Sequence, residues 1–318
     1  MLSANDPDYD RSICTTCAAQ YSASGLRPYR IGEEASGDGC PVCLDERQYV
    51  LSTGQAWTSW RELDGKHTMS LQLEPKDSRI IRIVTEPKVG QIGQTPFLLR
   101  TSEGSLIWDC GPYLSESMVE SILSTTSPSE PLLGIAISHP HFFNGSVTWA
   151  RKLRCKVHIC AADREWFMRK DEFVNEFVEF WEGDVKKFGN IPHCASLTHY
   201  SLTGHFPGSC VLHWDRSHDS SEEVSRPKTG VLFCSDTFKI AIDRRMMTFM
   251  WSYPNYIPLP PKDVQKIWQS IRPYDFDDIY SAWPGDIAYG NGKAKVLKSA
   301  RRFIQMEGWG NNDFLLEE

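Results

Sequence analysis

The chain has 318 residues, of which 41% are hydrophobic and 24% are charged, a composition typical of a globular protein with one large domain or two unequal ones. The formal net charge is -7, from 34 basic against 41 acidic residues, which argues against a polyanionic partner such as nucleic acid. No run approaches the roughly 18 uninterrupted apolar residues of a membrane span, and residues 1–30 lack a basic segment followed by an apolar one. We therefore expect a cytoplasmic protein without a membrane partner.

Two Cys-x-x-Cys pairs stand near the start of the chain, Cys14 with Cys17 and Cys40 with Cys43. Their spacing is close to that of a four-cysteine zinc site. The intervening segment is rich in glycine and has too few large apolar residues to build a core, so its folding should depend on the metal. The arrangement resembles a zinc ribbon or a rubredoxin-like module, with zinc preferred over iron. The alternatives are two disulfides or free surface thiols.

We place a domain boundary near residue 50, which predicts a four-cysteine zinc-binding module at 1–50 and a larger domain at 51–318. In the larger domain, apolar runs between turn signals predict strands, and apolar residues at helical spacing predict helices. The predicted strands are 79–85, 95–101, 105–108, 132–137 and 156–160, and the predicted helices are 116–123, 144–153, 260–271 and 294–304. This alternation indicates a layered α/β fold.

Two segments of the larger domain are unusually rich in large apolar residues. Several aromatic residues of 163–188 fall at helical spacing, which favours packing in the core over a role at a substrate site. Residues 244–256 carry two arginines followed by methionines and aromatic residues. This second segment could line a substrate mouth or form a homodimer contact, and a buried strand with a loop is the equally weighted alternative.

Several predicted strands end in side chains that can bind a metal ion. His139 and His141 follow the strand 132–137, and residues two apart in extended chain project to the same side. His205 lies in a Gly-His-Phe-Pro-Gly-Ser loop, Asp236 follows the apolar run 231–234, and Asp109 follows the strand 105–108. Converging imidazoles of this kind suit zinc.

In order and spacing these motifs resemble those of the metallo-β-lactamase superfamily, over roughly residues 80–290. The Gly-His-Phe-Pro-Gly-Ser loop is the most specific match. The resemblance implies an αββα sandwich that carries its metal at the strand ends. It also implies that His139, His141 and His205 are metal ligands, that Asp236 is a fourth or bridging ligand, and that Asp109 orients a ligand imidazole.

The chain departs from the family pattern at the second metal position. Phe143 and Asn144 stand where the family has Asp and His, and Trp283 lies in the segment where the last His is expected. All three departures fall on ligands of the second metal, and none falls on the first. We therefore expect one ion at this site.

These residues predict a hydrolase that uses a single zinc ion on an ester, thioester or lactone, with a small-molecule substrate. Asp236 would complete the metal shell or accept the proton. Two alternatives stay open. The set His139, His205 and Asp236 also matches the two histidines and one carboxylate of a mononuclear iron dioxygenase. The chain could instead be a scaffold protein that holds at most a structural ion.

Overall fold

The computed structural model describes residues 6–30, 37–101, 103–188, 194–198, 204–216 and 229–310. The chain divides into two compact units. The first comprises Met1–Ile159 with Asp163–Trp181, and the second comprises Cys160–Ala162 with Glu182–Glu318. The boundary near residue 50 stays a prediction.

The first unit begins with a small antiparallel sheet around the cysteine pairs. Its strands lie in the order β2-β1-β3, with β1 at Arg11–Cys14, β2 at Gln20–Ser24 and β3 at Trp57–Thr58. Two single-turn helices accompany it, α1 at Pro41–Leu44 and α2 at Trp60–Leu63. Helix α1 starts at a proline because that position needs no amide donor, and the Ser59 side chain caps α2 by accepting the Glu62 N–H.

A seven-stranded sheet forms the body of the first unit, in the order β10-β9-β8-β7-β6-β5-β4. Strands β4 to β7 are antiparallel neighbours, whereas β7, β8 and β9 are parallel, so chemical groups that follow β7 and β8 emerge at the same edge. The strands span Thr68–Glu74, Asp77–Glu86, Phe97–Thr101, Gly104–Trp108, Leu132–Ala136, Val157–Cys160 and Val178–Trp181 in chain order from β4.

Helices α3 at Glu116–Ser124 and α4 at Ser146–Leu153 make the connections between the parallel strands, close to their predicted positions. The aromatic segment 163–188 differs from a continuous helix. Helix α5 spans only Glu172–Phe177, and strand β10 starts at the next residue. Within the segment Phe167, Trp181 and Phe188 are buried, as expected for core residues.

The second unit is built on a six-stranded sheet in the order β11-β12-β13-β14-β19-β20. Pairing is antiparallel except between β14 and β19. These strands span Val185–Lys187, Cys194–Thr198, Cys210–Trp214, Gly230–Phe233, Phe276–Tyr280 and Ile287–Ala288. Two short hairpins lie between β14 and β19, made of Lys239–Ile240 with Met247–Thr248 (β15, β16) and Met250–Ser252 with Ile257–Pro258 (β17, β18).

Helices α6 at Pro261–Ile271 and α7 at Gly292–Met306 supply apolar faces to the core of this unit. Their buried residues, among them Val264, Trp268 and Val296, pack with Phe249 and Leu232 in one cluster. The segment 244–256 therefore contributes buried residues to the core, which agrees with the alternative of a buried strand and a loop. Among the described residues, no helix combines the length and apolar content needed to cross a membrane.

A buried ionic network joins the start of the chain to the body of the first unit. Asp8 is fully buried and accepts hydrogen bonds from Arg11 Nε at 2.7 Å, Arg169 Nη2 at 3.1 Å and Thr148 Oγ1 at 2.8 Å. Arg151 also pairs with this carboxylate. Removing any one partner would leave a buried charge without compensation, which costs free energy. The network therefore holds the start of the chain firmly against the body of the unit.

Replacing Asp8 by Ala should lower the free energy of unfolding by about 3 kcal/mol, because three guanidinium groups lose a shared partner in a dry environment. The midpoint of chemical denaturation measures the loss. Asp10→Ala is the matched control, since the Asp10–Arg61 pair is exposed and should hardly move the midpoint. Equal effects of the two changes would contradict a special role for Asp8.

Candidate metal centres

The four cysteines of the two Cys-x-x-Cys pairs come together as the sequence predicted. Their sulfur atoms all lie within 4.8 Å of one another, and all four side chains are buried. Cys14 and Cys43 are 3.5 Å apart and Cys17 and Cys40 are 3.7 Å apart. Disulfides require about 2.0 Å, whereas a tetrahedral ion with bonds of about 2.3 Å places its sulfur ligands roughly 3.8 Å apart. The arrangement fits a tetrahedral metal ion better than two disulfides.

Hydrogen bonds to Cys14 favour the thiolate form of that side chain. The Thr16 N–H and the Gln55 Nε2 group both donate to Cys14 Sγ, at 3.3 and 3.2 Å. Hydrogen bonding with the Cys17 side chain is the largest cause that lowers the pKa of Cys14, whereas burial raises the pKa of Cys17. Four sulfur ligands cannot all be charged in a buried site without a cation, so a divalent metal fits this set.

The turn after β8 carries His139 and His141, and it is held by the turn after β7. The Asp109 carboxylate accepts the Ser138 N–H at 2.7 Å. Ser138 Oγ in turn lies 2.9 Å from His139 Nδ1, within hydrogen-bonding distance. Asp109 was predicted to orient an imidazole. Its contact to the residue before His139 braces the histidine turn through the backbone.

The residues at the second metal position have structural partners. Asn144 donates from Nδ2 to the Cys110 carbonyl at 2.7 Å and accepts at Oδ1 from Gln94 Nε2 at 3.3 Å. The Phe143 ring packs edge-on against Phe167, with ring centroids 5.3 Å apart. Both side chains are buried.

His205 is held by the segment 244–256 that the sequence singled out. Its Nδ1–H donates to the Trp251 carbonyl at 3.0 Å. Because a carbonyl can only accept, Nδ1 carries the proton and Nε2 keeps its lone pair for a metal. Gly204 has a φ of 131°, which favours glycine, and Ser209 Oγ accepts the Phe206 N–H at 2.8 Å to close the loop.

Asp236 lies in the turn after β14. The preceding residue, Ser235, has a φ of 45°, and Thr237 Oγ1 donates to the Cys210 carbonyl at 2.9 Å, which together fix the turn. Farther along, the Lys239 ammonium lies 4.0 Å from the centroid of the Trp283 ring. The Trp283 ring thus makes a cation–π contact with Lys239, in the segment where the resemblance predicts a histidine.

The candidate ligands are all buried: His139 and His141 belong to the first unit, and His205 and Asp236 belong to the second. Three imidazole nitrogens and one carboxylate oxygen suit zinc or iron. Asp109 is not in this group. Sequence reasoning missed Gln55, Gln94 and the Trp251 carbonyl, because a single glutamine in a loop has no pattern and a carbonyl has no residue signature.

Solved structures with the same fold include a metallo-β-lactamase. The DIM-1 metallo-β-lactamase exposed to ceftazidime is 12% identical, with a TM-score of 0.50 over 75% of this chain and 98% of that one. VMB-1 at pH 5.5 is 10% identical, with a TM-score of 0.52 over 76% of this chain and 99% of that one. The chain thus has the metallo-β-lactamase fold, and the expected α/β class is confirmed.

No protein-family model matches the chain. One relative, described as the uncharacterized protein YmaE of Bacillus subtilis (strain 168), is 31% identical over 293 residues, which cover 92% of this chain and 95% of the relative. The chain belongs to the same family as that protein.

Replacing Cys40 by Ser should remove one equivalent of bound metal and expose residues 10–48 to protease while the larger domain stays folded, because the glycine-rich segment has little other core. Elemental analysis and limited proteolysis measure the two effects. Cys155→Ser is the control, since Cys155 lies outside both ligand sets. Unchanged metal content and protease resistance would show that the four cysteines hold no ion.

Proposed function

We propose that the protein is a metal-dependent hydrolase in which His139, His141 and His205 hold one zinc ion and Asp236 accepts the proton from water. The observation that supports this most directly is that buried turns in each unit hold these ligand side chains in place, the His139 turn through Asp109 and His205 through the Trp251 carbonyl. A bound zinc ion with an open position supplies Lewis-acid activation of a water molecule and a carbonyl group near neutral pH. The second zinc of the chain belongs to the four cysteines.

The roles of the chain's own residues follow from their contacts. His205 presents Nε2 because its other nitrogen is engaged by Trp251, and Asp109 keeps the His139 turn in place through Ser138. Asp236 is a buried carboxylate in the turn after β14, and we assign it the role of accepting the proton from the attacking water. Phe143 replaces the acidic residue that the family places nearby.

Binding of a single ion is supported by the residues that stand at the second metal position of the family pattern. The Asn144 amide donates a hydrogen bond to the Cys110 carbonyl and accepts one from Gln94, and the Phe143 ring packs against Phe167. Trp283 has an N–H donor and no lone pair for a metal. None of the three offers a ligand comparable to an imidazole or carboxylate.

The proposed substrate is a small ester, thioester or lactone with an apolar part. Aromatic residues beside the ligands support this choice, since the Tyr253 ring centroid lies 5.6 Å from that of His205 and the Phe142 ring centroid lies 5.1 Å from that of His139. The cytoplasmic location, the lack of nucleic-acid and membrane partners and the homodimer contact remain predictions.

Protein purified without added metal should contain about two zinc ions per chain, one for each ligand set. One zinc with one iron would indicate the dioxygenase instead, because His139, His205 and Asp236 also suit iron(II). About one zinc in total would favour the scaffold reading. A crystal soaked in excess zinc should show no second ion about 3.5 to 4 Å from the first, the usual two-metal separation.

Variants of His205 and Asp236 should separate metal binding from proton transfer. His205→Ala should lose both the metal and turnover, whereas Asp236→Asn should keep part of the metal but slow turnover about 10²- to 10⁴-fold, the usual cost of losing a general base. Activated ester, thioester and lactone substrates report the rates, and metal content is measured on the same samples. Asp275→Asn, an exposed change in the same unit, should behave as the wild type. Full activity in Asp236→Asn would remove Asp236 from the mechanism.

A further inference from the structure

Gln94 connects the cysteine pairs to the histidine turn. It lies in the loop between β5 and β6, is buried, and directs its Nε2 group at backbone carbonyls of both metal-binding segments. The distances are 3.0 Å to the Cys17 carbonyl and 2.8 Å to the His141 carbonyl. Cys17 and His141 each belong to one of the two ligand sets. A single amide therefore bridges the backbones of two metal ligands.

The orientation of this amide is determined by its surroundings. Besides the two carbonyls, Asn144 Oδ1 lies 3.3 Å from Nε2, so three acceptors face the same nitrogen. A flipped amide would turn its own oxygen towards these three oxygen acceptors, and no hydrogen bond could form. Among the described residues Gln94 Oε1 has no hydrogen-bond partner although it is buried, a cost that the chain bears in order to keep Nε2 in place.

Two backbone contacts reinforce the connection. The Gln20 N–H, just beyond the first cysteine pair, donates to the Asn144 carbonyl at 3.1 Å. The Gln91 N–H donates to the Thr16 carbonyl, also at 3.1 Å, and attaches the Gln94 loop to the same cysteine turn. Asn144 itself has a φ of 35° in the left-handed region, so the end of the histidine turn is a conformation that its neighbours must hold.

We propose that Gln94 is a positioning residue through which occupancy of the four-cysteine site controls metal affinity at the histidine site. A metal bound by Cys17 would restrict the backbone of the cysteine turn. Because Gln94 donates to both carbonyls, the His141 backbone would become more rigid as well. The His141 imidazole would then need less ordering when it binds its own ion. Binding at the two sites is then coupled, and the coupling acts equally in both directions. This inference rests on the proposed histidine metal site and concerns its regulation.

The first test replaces Gln94 by Met, which has a similar length and no donor. Cobalt serves as the probe, because thiolate ligands give it intense charge-transfer absorption that imidazole ligands do not. Chelator competition should show cobalt bound about 10- to 100-fold more weakly at the histidine site, the usual effect of losing a group that supports a ligand. Gln91→Met is the matched control, since the Gln91 side chain is exposed and its backbone contacts survive. A lower melting temperature with unchanged affinity would mean that Gln94 is only structural, and would overturn the proposal.

The second test is a double-mutant cycle with Cys40→Ser. Loss of the cysteine site should weaken cobalt binding by the histidines in the wild type, and it should have little further effect in Gln94→Met, because the connection is already broken. Purely additive effects would overturn the proposal. Should Cys40→Ser not fold, wild-type protein given one equivalent of zinc supplies the same answer. Amides 138–146 should gain protection from hydrogen exchange once the cysteine site fills, and unchanged exchange would contradict the coupling.

These measurements are independent of turnover. A metal-loaded wild type that hydrolyses no ester, thioester or lactone would remove the proposed reaction, while the affinities would still decide the role of Gln94. A wild type that binds no metal through its histidines would overturn both proposals together.

Discussion

The hydrogen bond from the Ser138 N–H to the Asp109 carboxylate is the constraint on which the histidine site depends. Strands β7 and β8 are parallel neighbours, so the turns that follow them lie side by side. A buried turn leaves backbone amides without partners, and each such amide is costly unless a side chain satisfies it. Asp109 supplies that partner from a left-handed conformation with a φ of 63°, and two histidines can then occupy a buried turn.

Asn144 and Phe143, which the resemblance places at a second metal position, have structural contacts. Asn144 exchanges hydrogen bonds with Cys110 and Gln94, and Phe143 adds its ring to an aromatic contact with Phe167. Removal of a second ion would leave buried polar side chains unpaired. An apolar ring and an amide with two internal partners avoid that cost.

Buried polar contacts join the cysteine segment to the rest of its unit. Asp8 is surrounded by arginines from three parts of the chain, and Gln94 contacts the backbones of Cys17 and His141. Buried ionic groups held by several partners resist separation because each partner would be left uncompensated. These contacts are the physical basis of the proposed coupling between the four-cysteine site and the histidine turn.

The sequence by itself determined the elements and the ligand types. Apolar runs predicted β8 and helices α3, α4, α6 and α7 to within a few residues, since periodicity reports which face is buried. The repeated Cys-x-x-Cys spacing predicted the four-cysteine site, and the order of the histidine and aspartate motifs predicted the fold. Tertiary structure alone decided which groups support the ligands. The Asp109 contact to Ser138, the Trp251 carbonyl on His205 and the Gln94 bridge join residues distant in the chain, and no local pattern encodes such contacts because they depend on how separate elements pack.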